Sequence, residues 1–179
     1  MKMGKPKIIA IVGLMGVGKT TIGAKLAEKL KYYFIDCDAE IEDREHKTIP
    51  EIFSQSGEKY FRELEAKTIE EIVNRDEEIV LSLGGGAYTN ENTRNILRQK
   101  AVTIWLHASI DEILKRIGHK NNRPLLNHKN KREVLEELAA KRYPLYAQAD
   151  MKFNTGEINN DLLVKKIIQQ INESSSNAK

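Results

Sequence analysis

The stretch Gly13-Leu14-Met15-Gly16-Val17-Gly18-Lys19-Thr20 constrains this chain more than any other. It follows the apolar run Ile8-Ile9-Ala10-Ile11-Val12 and opens a segment with Ile22, Leu26 and Leu30 at four-residue spacing, beside Gly23 and Ala27 and opposite Lys25, Glu28 and Lys29. A buried strand, a glycine loop and an amphipathic helix in that order form the context in which G-x-x-x-x-G-K-[ST] is a phosphate-binding P-loop. Glycines let backbone N–H groups turn around a phosphate, and the helix N-terminus adds the positive end of its dipole. The pattern therefore predicts a nucleoside triphosphate with Mg²⁺, Lys19 reaching the terminal phosphates and the Thr20 hydroxyl holding the metal.

At 179 residues and 40% hydrophobic, the chain suffices for one well-buried α/β domain around this loop and is short for two. The 29 basic side chains barely exceed the 26 acidic ones and are spread along the chain, which argues against a nucleic-acid track. A lone cysteine, Cys37, excludes an internal disulfide, and His46, His107, His119 and His128 form no ligand spacing. Met1 to Pro6 leads into the first strand without a leader-like apolar core, and no apolar run approaches a membrane span, so a cytoplasmic protein is expected.

Further along, Tyr32-Tyr33-Phe34-Ile35 reads as a second strand ending in Asp36-Cys37-Asp38. A helical crossover between parallel strands brings both aspartates to the P-loop side of the sheet. Alternation along extended chain would point Asp36 and Asp38 to one side and Cys37 to the other. One reading has Asp36 position Mg²⁺ through water and Asp38 accept a hydrogen bond from an attacking hydroxyl; the other makes Asp38 a helix N-cap. From Glu40 to Arg75 the pattern is mainly helical, with breaks near Thr48-Ile49-Pro50 and at Ser56-Gly57. Within it Arg62 and Glu65 stand three apart, the usual spacing of a surface ion pair contributing a few tenths of a kcal/mol.

Glu78 to Leu83 reads as a buried third strand, followed by Gly84-Gly85-Gly86. Three glycines either let backbone approach a ligand closely or make a loose turn into a helix beginning near Asn90; the position at the sheet's carboxyl edge favours the ligand. Ala101 to Leu106 is a fourth strand with Trp105 in the core, and Met151-Lys152-Phe153 a short fifth. Between them, residues 118–129 are polar, basic and poor in apolar anchors, as in an active-site lid or a simply disordered loop; a lid would screen a phosphoryl donor from water and carry Arg123 down onto the γ-phosphate. A final amphipathic helix runs from Ile158 to Ile171, and 174–179 should be a frayed polar tail.

Together these motifs resemble shikimate kinase from about Ile8 to Ile171: G-L-M-G-V-G-K-T-T at Gly13 to Thr21, D-x-D at Asp36 and Asp38, F-R-x-x-E from Phe61 to Glu65, G-G-G from Gly84 to Gly86, R-P-L-L from Arg123 and R-x-P-L-Y from Arg142. The resemblance implies transfer of the ATP γ-phosphoryl group to the 3-hydroxyl of shikimate, on the way to chorismate and the aromatic amino acids. It implies an α/β P-loop kinase fold: a five-stranded parallel sheet flanked by helices on both faces, like the nucleoside monophosphate kinases, with a mobile lid. A single domain would span residues 1–173, with a shikimate-binding helical region at about 39–65 and the lid at about 118–129.

The same resemblance assigns roles. Gly13, Gly16, Val17, Gly18, Lys19, Thr20 and Thr21 would bind ATP, with Arg116 against the adenine and Arg123 on the phosphates. Asp38, Arg62, Gly84, Gly85, Gly86 and Arg142 would bind shikimate, the two arginines taking its carboxylate. Lys19, Asp38 and Arg123 would be catalytic, and Thr20 and Asp36, the latter through water, would hold Mg²⁺. The implied enzyme is a monomer without nucleic-acid or membrane partners. Cys37 stands where the family tends to have a small hydroxyl residue, and Asn154 to Asn159 lacks a basic residue that some members place near adenine. Another P-loop kinase, such as a gluconate kinase, or a nucleotide-binding relative without catalysis would share the loop but not the whole set.

Overall fold

The computed structural model describes residues 5–118, 130–156 and 158–177. Five strands, β1 (Ile8–Val12), β2 (Tyr33–Asp36), β3 (Ile79–Ser82), β4 (Ala101–His107) and β5 (Met151–Asn154), form one sheet in the order β2-β3-β1-β4-β5. All neighbouring strands pair in parallel. Between them run α1 (Lys19–Leu30), α2 (Cys37–Glu45), α3 (Ile49–Val73), a 3₁₀ turn (Ala87–Thr89), α4 (Glu91–Lys100), α5 (Ile110–Ile117), α6 (Lys131–Tyr146) and α7 (Asn160–Asn177). Apart from Gly118, the expected lid lies outside the described residues, and so does Arg123.

β1 and β3 are buried at every position, which requires helices on both faces of the sheet. α1 packs on β1, β2 and β3 and against α7, while α3 packs on α4 and α4 on β4. The order of strands reverses about β1, and in open parallel sheets ligands bind at the carboxyl edge beside such a switch point. Register then sets three loops at one level: Ile11 and Asp36 both pair with Ser82, and the Leu83 N–H donates to the Ile11 carbonyl at 3.0 Å. The P-loop after β1, Asp36 at the end of β2 and the glycines after β3 leave the sheet side by side.

Helix starts follow their local chemistry. Thr48 and Glu51 form a capping box at α3, with Pro50 in its first turn, and Asn90 caps α4. α7 runs on to Asn177, so Ser174 to Ser176 are helical and not a frayed tail; the Ser175 and Ser176 hydroxyls donate back to the carbonyls of Ile171 and Asn172, each at 2.9 Å. Among the described residues no helix is long and apolar enough to cross a membrane.

The expected break at Gly57 is a kink inside α3, with φ 81° and ψ 169°. That region is essentially restricted to glycine, and a side chain there costs about 1–3 kcal/mol. No atom lies within 4 Å of where a Gly57 Cβ would be, so a substitution tests backbone strain alone. Gly57→Ala should lower the thermal midpoint by roughly 2–12 °C, at about 2–4 °C per kcal/mol for a chain of this size. Circular dichroism melting checks this, and an unchanged midpoint would mean that the kink relaxes freely.

Candidate active site

The P-loop is shaped for an anion by what its helix lacks. α2, α3, α4, α5 and α6 each begin under a side-chain oxygen, from Asp36, Thr48, Asn90, Ser109 and Asn130. α1 begins at Gly18 with φ 99°, no side-chain cap and no acidic residue in its first turn. Its first N–H groups and its dipole therefore face the loop. Lys19 Nζ donates to the carbonyls of Gly13 and Leu14, both at 2.9 Å, which holds the ammonium against the loop.

β2 delivers the aspartates differently from simple alternation. The strand stops at Asp36, whose Oδ1 accepts from the N–H groups of Asp38 (3.1 Å) and Ala39 (3.2 Å), so Asp36 and not Asp38 is the N-cap of α2. Cys37 is the first helical residue and fully buried, and burial pushes its thiol up. The other Asp36 oxygen accepts from the Thr20 hydroxyl at 2.9 Å, so the two predicted metal-side groups touch. Asp38 lies in the first turn of α2. Burial and then the Asp36 charge raise its carboxyl above the usual range, against the pull of Lys19 and Arg62.

The three glycines form the floor on which the remaining groups converge. A methyl carbon on Gly84 would lie 2.7 Å from Asp38 Oδ1 and 2.9 Å from Glu65 Oε1. On Gly85 it would lie 2.8 Å from Arg142 Nη1 and 3.6 Å from the Gly13 carbonyl oxygen, and on Gly86 2.5 Å from Arg62 Nη2. A side chain at any of these positions would displace charged groups from α2, α3 and α6 that close over them. The glycines are thus closely packed by charged side chains, and the P-loop adjoins the same floor.

Arg62 and Glu65 do form the ion pair that their spacing allows, but not at the surface. Arg62 Nη1 donates to Glu65 Oε2 at 2.7 Å, and the Glu65 side chain is only 3% exposed. Burial, partly offset by Arg62, pushes the Glu65 carboxyl up to about 7, and its Oε1 has no hydrogen-bond partner among the described residues. Phe61, buried against Phe53 with ring centroids 4.8 Å apart, anchors this stretch of α3, and the Arg62 guanidinium lies 5.2 Å from the Phe61 ring. Arg142 is aimed by its own helix: Tyr143 and Tyr146 pack on Trp105 at 5.3 and 6.0 Å, and the Tyr146 hydroxyl donates to the Gly85 carbonyl. Burial pushes that hydroxyl up to about 12, so it remains a donor.

Arg116 ties two loops together. Its guanidinium donates to the carbonyls of Gly16 (3.3 Å) and Val17 (3.0 Å) and to Thr155 Oγ1 (3.1 Å) and O (3.0 Å). Thr155, buried, donates its hydroxyl to the Val17 carbonyl at 2.9 Å. The segment without a basic residue thus borrows one from α5.

With this geometry in view, comparison with known proteins is decisive. A family profile described as Shikimate kinase matches residues 15–172. The chain belongs to the shikimate kinase family. It is 41% identical over 176 residues to the shikimate kinase of Novosphingobium aromaticivorans, covering 96% of this chain and 90% of the relative. Among solved structures, shikimate kinase from Acinetobacter baumannii in complex with shikimate superposes with a TM-score of 0.88 at 38% identity, covering 93% of each chain. A gluconokinase from Sinorhizobium meliloti, with a TM-score of 0.69 at 18% identity over 97% of this chain and 96% of that one, shares the fold. Family membership makes the chain a P-loop kinase that uses ATP as co-substrate.

Of the site residues read from sequence, Lys19, Thr20, Asp36, Asp38, Arg62, Gly84, Gly85, Gly86, Arg116 and Arg142 all stand around the carboxyl edge of the sheet. Tyr146 and Thr155, and Glu65 beyond the surface ion pair expected of it, also shape the site; Glu65 and Tyr146 end the F-R-x-x-E and R-x-P-L-Y motifs, the sequence signal for them. Thr155→Val should remove one of the two donors to the Val17 carbonyl, leaving Arg116, destabilise by about 0.5–1.5 kcal/mol and weaken ATP binding. Thermal unfolding and nucleotide calorimetry check this, and an unchanged ATP affinity would confine Thr155 to the core.

Proposed function

We propose that the chain transfers the γ-phosphoryl group of ATP to the 3-hydroxyl of shikimate, giving ADP and shikimate 3-phosphate for chorismate and aromatic amino acid biosynthesis. The observation that carries this reading is the convergence of Asp38, Arg62 and Arg142 on Gly84 to Gly86 beside the P-loop. Two guanidinium forks suit a carboxylate, and a carboxylate opposite them suits a polyol. Arg62 and Arg142 bind the shikimate carboxylate, the glycine backbone approaches the ring, and Asp38 accepts the hydrogen bond of the attacking hydroxyl. In a loose phosphoryl-transfer transition state this alignment matters more than early proton removal. Gly13 to Thr21 hold the phosphates, Lys19 neutralises charge developing on the transferred group, and Arg116 lies at the adenine. Arg123, outside the described residues, is proposed to join Lys19 from the lid at 118–129.

The Thr20 hydroxyl and Asp36 carboxylate, in contact at 2.9 Å, are hard oxygen groups suited to a hydrated Mg²⁺ on the phosphates. Among the described residues no group of three or more acidic, His or Cys side chains could cage a metal alone, which fits an ion that keeps its waters. Thr20 and, through water, Asp36 would hold it; when bound, Mg²⁺ supplies charge neutralisation at the phosphate oxygens. The working unit is proposed to be a single P-loop kinase domain over residues 1–173, including the helical region at 39–65, acting as a cytoplasmic monomer on a small-molecule substrate.

A coupled assay should show ADP release that requires both shikimate and Mg²⁺; turnover with gluconate or a nucleotide in place of shikimate would overturn the assignment. Arg62→Ala would strand buried Glu65, so Arg62→Lys is the cleaner probe. It keeps the charge, loses the fork, and should weaken shikimate binding roughly 10- to 100-fold with nucleotide binding nearly unchanged. Equal loss of both ligands in calorimetry would make Arg62 structural. Lys19→Ala should lower kcat by roughly 10²–10³; single-turnover kinetics read this directly, and an unchanged rate would remove Lys19 from the mechanism.

A further inference from the structure

Glu65 is the one strongly buried carboxylate of the site to which the reaction as derived gives no task. Its Oε2 is engaged by Arg62 at 2.7 Å, and its Oε1 faces the same point above Gly84 as Asp38 Oδ1, without a hydrogen-bond partner among the described residues. The groups around it come from every neighbouring element. From α2 come Asp38 and the buried Cys37 thiol, and from its own helix Arg62, whose Nε is 3.7 Å from exposed Glu58. α6 contributes Arg142, with Tyr146 committed to the Gly85 carbonyl, and the charges of Asp36 and Lys19 act on Asp38. With both carboxylates ionised, Asp38 and Glu65 balance Arg62 and Arg142. A substrate carboxylate placed on the arginines would make this poorly hydrated corner net negative and would compete with Glu65 for Arg62.

We propose that Glu65 takes up one proton from solvent onto its carboxylate when the substrate carboxylate binds, restoring charge balance and yielding Arg62 to the substrate. The inference rests on reading this site as the shikimate pocket and deepens it. Glu65 is a positioning residue acting through Arg62. Its carboxyl, already lifted to about 7, is raised further by a second negative charge nearby. The sign follows. Below the free-site value Glu65 is already protonated and binding moves no proton. Above it, binding consumes one, so shikimate affinity falls as pH rises, by up to about ten-fold per pH unit, until the bound-state value is passed.

The test is calorimetry of shikimate binding to the full-length protein in phosphate and in Tris, buffers of very different ionisation enthalpy. At about pH 7.5 the wild-type protein should take up about half a proton or more. Glu65→Gln, which keeps the shape of the protonated acid, should take up none, and its Kd should stay flat from about pH 6.5 to 8.5. Carboxyl ¹³C NMR of glutamate-labelled wild-type protein reads the same event without a variant, as one resonance titrating near neutrality that shifts to higher pH with shikimate. A buffer-independent heat in a protein that binds shikimate would overturn the inference and leave the function standing, as would uptake retained in Glu65→Gln. Absence of shikimate binding in any buffer would overturn the site reading, and the inference with it.

Discussion

Two carboxylates and two guanidiniums share the space that three absent side chains leave open above Gly84, Gly85 and Gly86. Charges so poorly hydrated persist only when each has a partner close by, and the missing Cβ atoms permit that closeness. A methyl on Gly86 would sit 2.5–2.7 Å from the Arg62 guanidinium, so one alanine there would displace the group that neutralises Glu65. The raised carboxyls of Asp38 and Glu65 measure the same constraint: desolvation leads in both, and the arginines and Lys19 restrain it. The site is thus held by electrostatic balance, and any ligand entering it must respect that balance.

Strand order creates this meeting point. β3 lies between β1 and β2, so the glycines emerge between the P-loop and Asp36, although Gly18 and Gly84 are far apart in the chain. Hydrogen bonds then fasten the loops to each other: Thr20 to Asp36, Leu83 to Ile11, Tyr146 to Gly85. Each joins two elements that present different parts of the site, so a shift in one loop is felt by its neighbour.

The elements were legible because their signals are local. The P-loop, the capping residues Thr48 and Asn90 and the breaker Gly57 act over a few residues, and the structure keeps each of them. The misreadings concern what distance supplies. Whether the face carrying Arg62 and Glu65 meets water or other charges depends on Gly84, Asp38 and Arg142, which no helical period reports. Alternation at Asp36-Cys37-Asp38 failed because Asp36 uses its side chain to end the strand and begin α2, a competition between cap and ladder that the composition of the strand does not decide. Strand order was not readable at all, since no local pattern reports which strands become neighbours.

That difference separates two halves of a fold that the chain shares with a gluconokinase. The phosphate side is built from backbone and a helix terminus, groups that any sequence supplies once glycines stand at the turns. The proposed acceptor side is built instead from side chains on α2, α3 and α6. Selectivity there has an electrostatic form: a ligand without a carboxylate would leave Arg62 to Glu65 and forgo the gain from the two forks, whereas a carboxylate draws them into a new balance. If Arg62 takes the substrate carboxylate as proposed, the buried acid beside it, costly in a core, is the counterweight that would make the arginine selective.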